Sequence, residues 1–334
     1  MSVYSRHSAI QKINQLASQH TPFLFCVNFT KTEWDIMPVD SITSDDCLYD
    51  IQGVTNSDTS NKELDDALKL PIEWSANYLS YESYQAKIQH IIEQAKAGNT
   101  YLANLTVATP IATNLSLLQI FRMTQARYRL WKKNQFVCFS PEIFVQIKDN
   151  KIATFPMKGT IDAVQEDSLT ELMQDEKEAA EHATIVDLLR NDLSIVAKNV
   201  YVKRYRYAEK VCTNKGAIWQ LSSEIEGDLP INWKASLGTL LDLLLPAGSI
   251  SGAPKKKTCE IIQETEAYDR DYYTGVMGYF DGETLDSGVM IRFLQQTDEG
   301  LIFKAGGGVT HLSKPESEYQ EIQQKTYLPL LPSK

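Results

Sequence analysis

Three short apolar runs, at residues 136–139, 143–147 and 152–155, follow one another with no helix-length segment between them, and Asp149-Asn150 marks a turn between the last two. Strands joined this closely pair as antiparallel hairpins, because a parallel partner needs a crossover of roughly a dozen residues. Residues 101–112, 275–280, 287–294 and 302–305 also read as extended. Tyr84, Ile88, Ile91, Ile92 and Ala95 recur at helical spacing ahead of Gly98, which suits a left-handed helix stop. Further helices are expected near 115–128, 175–197, 233–243 and 254–264, and from Pro315 onward. Helix and strand are mixed without regular βαβ alternation, which counts against a dinucleotide-binding domain. The pattern fits an α+β (mixed α/β) chain built on large, mostly antiparallel sheets.

The polar stretch from Gly53 to Lys62 reads as a surface loop. Too little chain precedes it to fold alone, so residues 1–80 are expected to pack as a short N-terminal part on a catalytic domain at 81–334. A net charge of −10 argues against nucleic acid as a partner. It also means that an anionic substrate needs local positive charge from a metal or from a few lysines and arginines. No apolar run approaches the ~18–20 residues of a membrane span, and the first residues are polar rather than signal-like. Five scattered cysteines without a C-x-x-C pair suit reduced thiols, and hence the cytoplasm.

Two helical stretches each present carboxylates three residues apart, Glu178 with Glu181 and Glu318 with Glu321. Positions i and i+3 share a helix face, so each pair can aim at one point. Two such faces meeting would give an oxygen-rich site for Mg²⁺, although solvated helix surfaces carry the same spacing. Lys325, four residues beyond Glu321, shares its face and could bind an anion beside the metal. Gly306-Gly307-Gly308 either lets backbone N–H groups approach a ligand or forms a tight turn or bulge. The run from Gly248 to Pro254 suits a loop entering a helix, with Pro254 at the first helical position and an anion favoured at the N-terminus. It is not a G-x-x-x-x-G-K-[S/T] phosphate loop, because Ala253 and Pro254 separate Gly252 from Lys255.

Glu142, in Ser140-Pro141-Glu142, precedes Lys158, in Phe155-Pro156-Met157-Lys158-Gly159-Thr160, by sixteen residues. A strand, a turn and a strand between them can bring carboxyl and amine to one end of a small sheet. There they would serve as acid and nucleophile, or as a plain ion pair. The five histidines lack metal-ligand spacing, and His182 is expected to be structural. The run from Asp187 to Asp192 is expected to join its helix to a sheet.

Taken together and in this order, Ser-Pro-Glu at 140–142, Lys-Gly-Thr at 158–160, Glu-x-x-Glu-His at 178–182, the 187–192 run, the 246–255 run, Tyr273, Arg292, 306–308 and Glu318-x-x-Glu321 resemble the chorismate-utilising enzymes. The resemblance implies two stacked sheets with helices outside and chorismate between the sheets. It implies Glu181 and Glu321 as Mg²⁺ ligands, supported by Glu178 and Glu318. Gly159, Thr160, the amides of Gly306, Gly307 and Gly308, and Lys325 would attend the ring carboxylate. Arg292 and Tyr273 would attend the enolpyruvyl carboxylate, which a planar guanidinium fork suits.

Within that family, members producing anthranilate, isochorismate or salicylate resemble one another in having a small residue where Lys158 stands. A lysine there resembles the aminodeoxychorismate synthases. Water-using members resemble one another in carrying a lysine where this chain has Leu102. Lys158 would then attack ring C2 while protonated Glu142 assists departure of the C4 hydroxyl, and ammonia would add at C4. That chemistry asks for a lowered lysine pKa and a raised glutamate pKa. Gln220 stands near a position where the family often has histidine. No cysteine lies in a glutaminase context, so ammonia is expected from a separate glutamine amidotransferase subunit. Anthranilate synthase component I and a non-catalytic partner of the amidotransferase are the alternatives.

Overall fold

The computed structural model describes residues 3–57, 71–163, 167–213 and 216–330. Among these, every strand pairing is antiparallel, and the strands form two sheets of ten and nine members. The first sheet runs Val3–Tyr4, Trp34–Pro38, Phe23–Val27, Val276–Phe280, Leu285–Val289, Ile143–Lys148, Lys151–Thr154, Gly216–Asp228 and Met157–Asp162, with Lys198–Thr213 also paired to Gly216–Asp228. The second runs Gly252–Ala253, Leu102–Thr113, Gly300–Val309, Phe293–Thr297, Phe136–Ser140, Tyr128–Lys132, Cys47–Ile51 and Val54–Thr55, with Trp74–Ala76 on Leu102–Thr113. Residues from the first eighty thus enter both sheets.

Alternation along the strands explains the layering. In Phe23–Val27, Leu24 and Cys26 point into an apolar layer shared by both sheets. Phe23, Phe25 and Val27 point outward to the Arg6–Ser18 and Leu237–Leu244 helices. In Phe136–Ser140, Phe136 and Cys138 face the same middle layer. Val137 and Phe139 face a layer under the Tyr81–Lys96 and Lys255–Glu266 helices. The strands are therefore buried on both faces, which explains why they read as apolar runs rather than polar–apolar alternation.

Most expected elements stand where local signals put them. Asp149 and Asn150 both have positive φ, as a two-residue hairpin turn requires, and Gly98 has φ +78° after the Tyr81–Lys96 helix. The helix expected near 115–128 stops at Met123, and Tyr128–Lys132 is instead a strand between Cys47–Ile51 and Phe136–Ser140. A hairpin neighbour on one side and the distant Cys47–Ile51 strand on the other outweigh a local helical reading there. Residues 287–294 are not one strand: Leu285–Val289 belongs to the first sheet and Phe293–Thr297 to the second. Arg292, at φ +55°, lies in the crossing between them. The loop expected from Gly53 begins as a hairpin, Cys47–Ile51 with Val54–Thr55, while 58–62 lie outside the described residues. Pro254 precedes the Lys255–Glu266 helix as its N-cap rather than opening it. Cys26, Cys47, Cys138 and Cys259 are free thiols, and the side chain of Cys212 lies outside the described residues. Among the described residues no helix is long and apolar enough to cross a membrane.

Two buried ion pairs brace this frame. Lys132 of the second sheet meets Asp35 of the first, where the Tyr272 hydroxyl also donates to Asp35 at 3.1 Å. The Arg270 guanidinium meets Glu266 at 2.6 Å and donates to the carbonyls of Ile250 at 3.0 Å and Asn104 at 2.5 Å. Glu266 in turn accepts from the Thr106 amide at 2.7 Å. Both side chains of this second pair are at most 2% exposed, so neither charge has water to fall back on. Removing one charge from a buried pair costs about 3–5 kcal/mol, because the other is stranded. Glu266→Gln is therefore expected to lower stability by about that amount. The double variant Glu266→Gln/Arg270→Met should recover part of the loss, read from urea-unfolding midpoints.

Candidate active site

Lys158 is aimed by a β-bulge. Met157 pairs with Ser222 and Thr160 with Gln220, so the lysine strand carries one residue more than its partner between these pairs. Gly159 has φ +88°, the left-handed value that such a bulge uses glycine for. The extra residue turns the Lys158 side chain toward the Glu176–Ser194 helix, where Nζ lies 2.7 Å from Glu181 Oε2. A methyl group on Gly159 would lie 3.2 Å from Glu178 Oε2, so both acids of this helix reach the bulge. Thr160, one step on, is exposed.

The second acid pair comes from the Pro315–Lys325 helix. A methyl group on Gly307 would lie 3.5 Å from Glu318 Oε2, 3.7 Å from Glu321 Oε1 and 3.8 Å from Lys325 Nζ. Lys325 Nζ pairs with Glu321 at 2.5 Å and donates to the Gly306 carbonyl at 3.0 Å. The three glycines are neither turn nor bulge: they continue Gly300–Val309 in unbroken register with Asn104, Leu105 and Thr106. Their other neighbour, Phe293–Thr297, pairs only as far as Lys304. One edge of the glycine run is therefore left by the strands to the helix. Leu102 lies against Gly308, its Cδ1 3.1 Å from where a methyl group would stand.

The fields of these groups overlap. Burial lowers the Lys158 pKa, but the Glu181 hydrogen bond and the charges of Glu181, Glu178 and Glu321 outweigh it and raise the pKa. The lowered value expected from sequence is thus not found here, because the carboxylates stabilise the ammonium form. Burial raises Glu318, with Glu321 adding to it, while a hydrogen bond from Ser313 and the charges of Lys158 and Lys325 pull it down. Burial raises Glu142 as expected, against a hydrogen bond from Ser249 and the charge of Lys325. Tyr273 is buried against Phe293, and Arg292 and Glu142 both act on its hydroxyl. Arg292 donates to the Lys325 carbonyl at 2.8 Å and lies over the Tyr327 ring.

Carboxylate oxygens suit a hard divalent cation. Among the described residues, however, no three acidic, histidine or cysteine side chains already surround one point. Two lysine ammonium groups stand among the four glutamates instead, leaving an excess of negative charge. The donor chemistry therefore fits a cation such as Mg²⁺.

Three contributors were not assigned here from sequence. His182 is buried, with Nε2 2.7 Å from Ser223 Oγ and Nδ1 3.4 Å from the Lys158 carbonyl, so it steadies the bulge. Asp192 pairs with Lys255 at 2.9 Å and accepts from the Gly248 amide, tying the long helix to the 248–251 turn and to the helix after it rather than to a sheet. Ser249 in that turn donates to Glu142. Gln220 turns its amide to Met157 Sδ at 2.9 Å.

The family model for chorismate binding enzymes matches residues 28–330. The chain belongs to that family. A Haemophilus influenzae relative named as an uncharacterized PabA-like protein is 47% identical, over 96% of each chain. Aminodeoxychorismate synthase component 1 of Escherichia coli is 33% identical over 77% of this chain and 58% of its own length. Relatives named anthranilate synthase component 1 match at comparable identity. A solved structure of anthranilate synthase component I from Streptococcus pneumoniae shares the fold with TM-score 0.67 at 19% identity, covering 91% of this chain and 79% of that one. As a chorismate binding enzyme, the chain thus carries the family's two antiparallel sheets with outer helices, and its acid pairs converge on the glycine edge and the bulge.

Gly159→Ala should cost about 1–2 kcal/mol, since a side chain at its left-handed φ is strained, and should also abolish activity by displacing Glu178. Gly300→Ala, at φ +123° with nothing within 4 Å, should lose stability yet keep activity. Unfolding midpoints and turnover of the two variants check this.

Proposed function

We propose that the protein aminates chorismate to 4-amino-4-deoxychorismate, as aminodeoxychorismate synthase component I of folate-precursor synthesis in the cytoplasm. It would draw ammonia from a separate glutamine amidotransferase. The observation that carries this reading is Lys158 itself. An amine, where a small residue would leave room for another nucleophile, is presented on a bulge facing the acid cluster.

Glu181 and Glu321, with Glu178 and Glu318 behind them, would hold Mg²⁺, which when bound supplies positive charge for the ring carboxylate. Lys325 and the glycine edge receive the same carboxylate, while Arg292 and Tyr273 orient the enolpyruvyl group. Glu181 holds Lys158 as ammonium in this structure, so Nζ becomes nucleophilic only after its proton has left. Nζ then forms a bond to C2, the ring double bond shifts, and the C4–O bond breaks. Protonated Glu142 gives its proton to the departing hydroxyl, which leaves as water. Ammonia adds at C4, the double bond returns, the C2–N bond to Lys158 breaks with the lysine leaving as neutral amine, and one proton of the new C4 ammonium returns to Glu142. The enolpyruvyl ether is untouched throughout, and Leu102 offers no base to activate water instead.

With purified protein, chorismate, Mg²⁺ and ammonium, mass analysis should find 4-amino-4-deoxychorismate and no released pyruvate. Anthranilate with pyruvate would overturn the reading. Chelation should abolish turnover and added Mg²⁺ restore it. Glu142→Gln should slow the reaction by about 10²–10⁴-fold, the range for loss of a positioned general acid. Because the step needs Glu142 protonated and Lys158 neutral, the rate per free ammonia should rise with pH and level off through the raised Glu142 pKa. Loss of the acid there cancels the gain of free amine, whereas in Glu142→Gln the rate should go on rising. A wild-type rate per free ammonia that keeps rising through that range, as in Glu142→Gln, would remove Glu142 from the acid role.

A further inference from the structure

The run from Ala247 to Pro254 has no task in the chemistry above, although it is one of the most distinctive stretches of the chain. It does not form an anion loop. Gly248–Ser251 is a single helical turn, and Gly252–Ala253 pairs with Leu102 and Ala103. Its start is held by Asp192, which accepts from the Gly248 amide and is itself paired with Lys255 at 2.9 Å. Lys255 also donates to the Leu244 carbonyl at 3.0 Å. Its middle is held by Arg270, which donates to the Ile250 carbonyl at 3.0 Å, and by Ser251 Oγ, which donates to the Ala247 carbonyl at 2.8 Å. Its end admits only glycine: at φ +131°, a methyl group on Gly252 would overlap the Leu102 carbonyl at 1.9 Å. A turn anchored at its start, middle and end presents Ser249, whose hydroxyl donates to Glu142 Oε1.

We propose that Ser249 is a positioning residue for Glu142, its hydroxyl holding the carboxyl in one orientation through both protonation states. This rests on the reading of Glu142 as the acid that protonates the leaving hydroxyl. The chemistry favours a hydroxyl for the task. It donates to the carboxylate, and it can rotate to accept from the protonated acid, which an ammonium or amide N–H cannot do. The other charged group acting on Glu142 is Lys325 of the Pro315–Lys325 helix, and Glu142 in turn raises the Tyr273 hydroxyl beside Phe293. Lys325 works in the same direction as Ser249, favouring the charged form, while burial opposes both. Without the hydroxyl, burial is opposed by Lys325 and the acid keeps its proton to higher pH.

The test compares wild type, Ser249→Ala and Ser249→Thr with Mg²⁺, chorismate and ammonium, rates being taken per free ammonia across pH. Glu142 is read separately from its carboxyl stretch in infrared difference spectra against Glu142→Gln, which needs no turnover. In Ser249→Ala the carboxyl midpoint and the pH at which the rate per free ammonia stops rising should move up together by about one pH unit. Its kcat should fall roughly ten- to hundredfold, with the KM for chorismate unchanged. Ser249→Thr, which keeps the hydroxyl, should hold both near wild type. A Ser249→Ala protein with unaltered midpoint and kcat would overturn the proposal. A shifted midpoint in a protein that does not aminate chorismate would instead remove the functional reading and leave the role of Ser249 standing.

Discussion

The buried Arg270–Glu266 pair is the interaction on which the arrangement of the site depends. Through it, the strand carrying Leu102, the turn carrying Ser249 and Thr274 beside Tyr273 are hydrogen-bonded to one guanidinium–carboxylate unit. None of these segments is near another in sequence. Backbone carbonyls at Asn104 and Ile250 would otherwise be partly stranded away from water, at a cost comparable to a lost hydrogen bond each. A buried ion pair is weak evidence of stability in itself, since two charges must be dehydrated to form it. Here three of its hydrogen bonds go to backbone groups of two separate segments, the carbonyls of Asn104 and Ile250 and the Thr106 amide, which gives it a geometric role that an apolar pair could not fill.

Around that anchor, the site is organised by charge that does not cancel locally. Two acid pairs, one from each of two helices, face the bulge and the glycine edge, and two lysines stand among them. The chain as a whole is acidic, yet its proposed substrate is a dianion. In the proposed reaction, Lys158, Lys325 and Arg292 would supply the positive charge, together with a cation held by the acids. Lys158 is held as ammonium by the same acids that would hold a metal. In the proposed reaction its release as an amine would thereby be coupled to what occupies those acids.

Local signals in the sequence were enough for elements whose cause is local. Positive φ at Asp149 and Asn150, the stop after Lys96 and the Pro315 start all follow from residue chemistry within a few positions. The i, i+3 acid pairs were legible for the same reason. What was not legible depends on partners far away in the chain. Tyr128–Lys132 is a strand in part because Cys47–Ile51, some eighty residues earlier, flanks it, and Arg292 takes its left-handed φ where the chain changes sheets. The task of the glycine run lies in which edge is left unpaired, which no window of sequence reveals. Likewise, an isolated Ser249 or His182 carries no signal until the fold brings Glu142 or the Lys158 carbonyl against it. The raised lysine pKa also depends on distant partners, since the carboxylates of Glu178, Glu181 and Glu321 face Lys158 only in the folded chain.

The central claim is that Lys158 forms and breaks a bond to the ring. It is tested most directly by mixing the protein with chorismate and Mg²⁺ in the absence of ammonia and measuring the intact mass of the quenched protein. The account predicts a gain of one chorismate less one water, mapped by peptide analysis to Lys158 and discharged when ammonium is added. An unmodified mass under conditions where ammonium alone restores full amination, or an adduct on another residue, would contradict it.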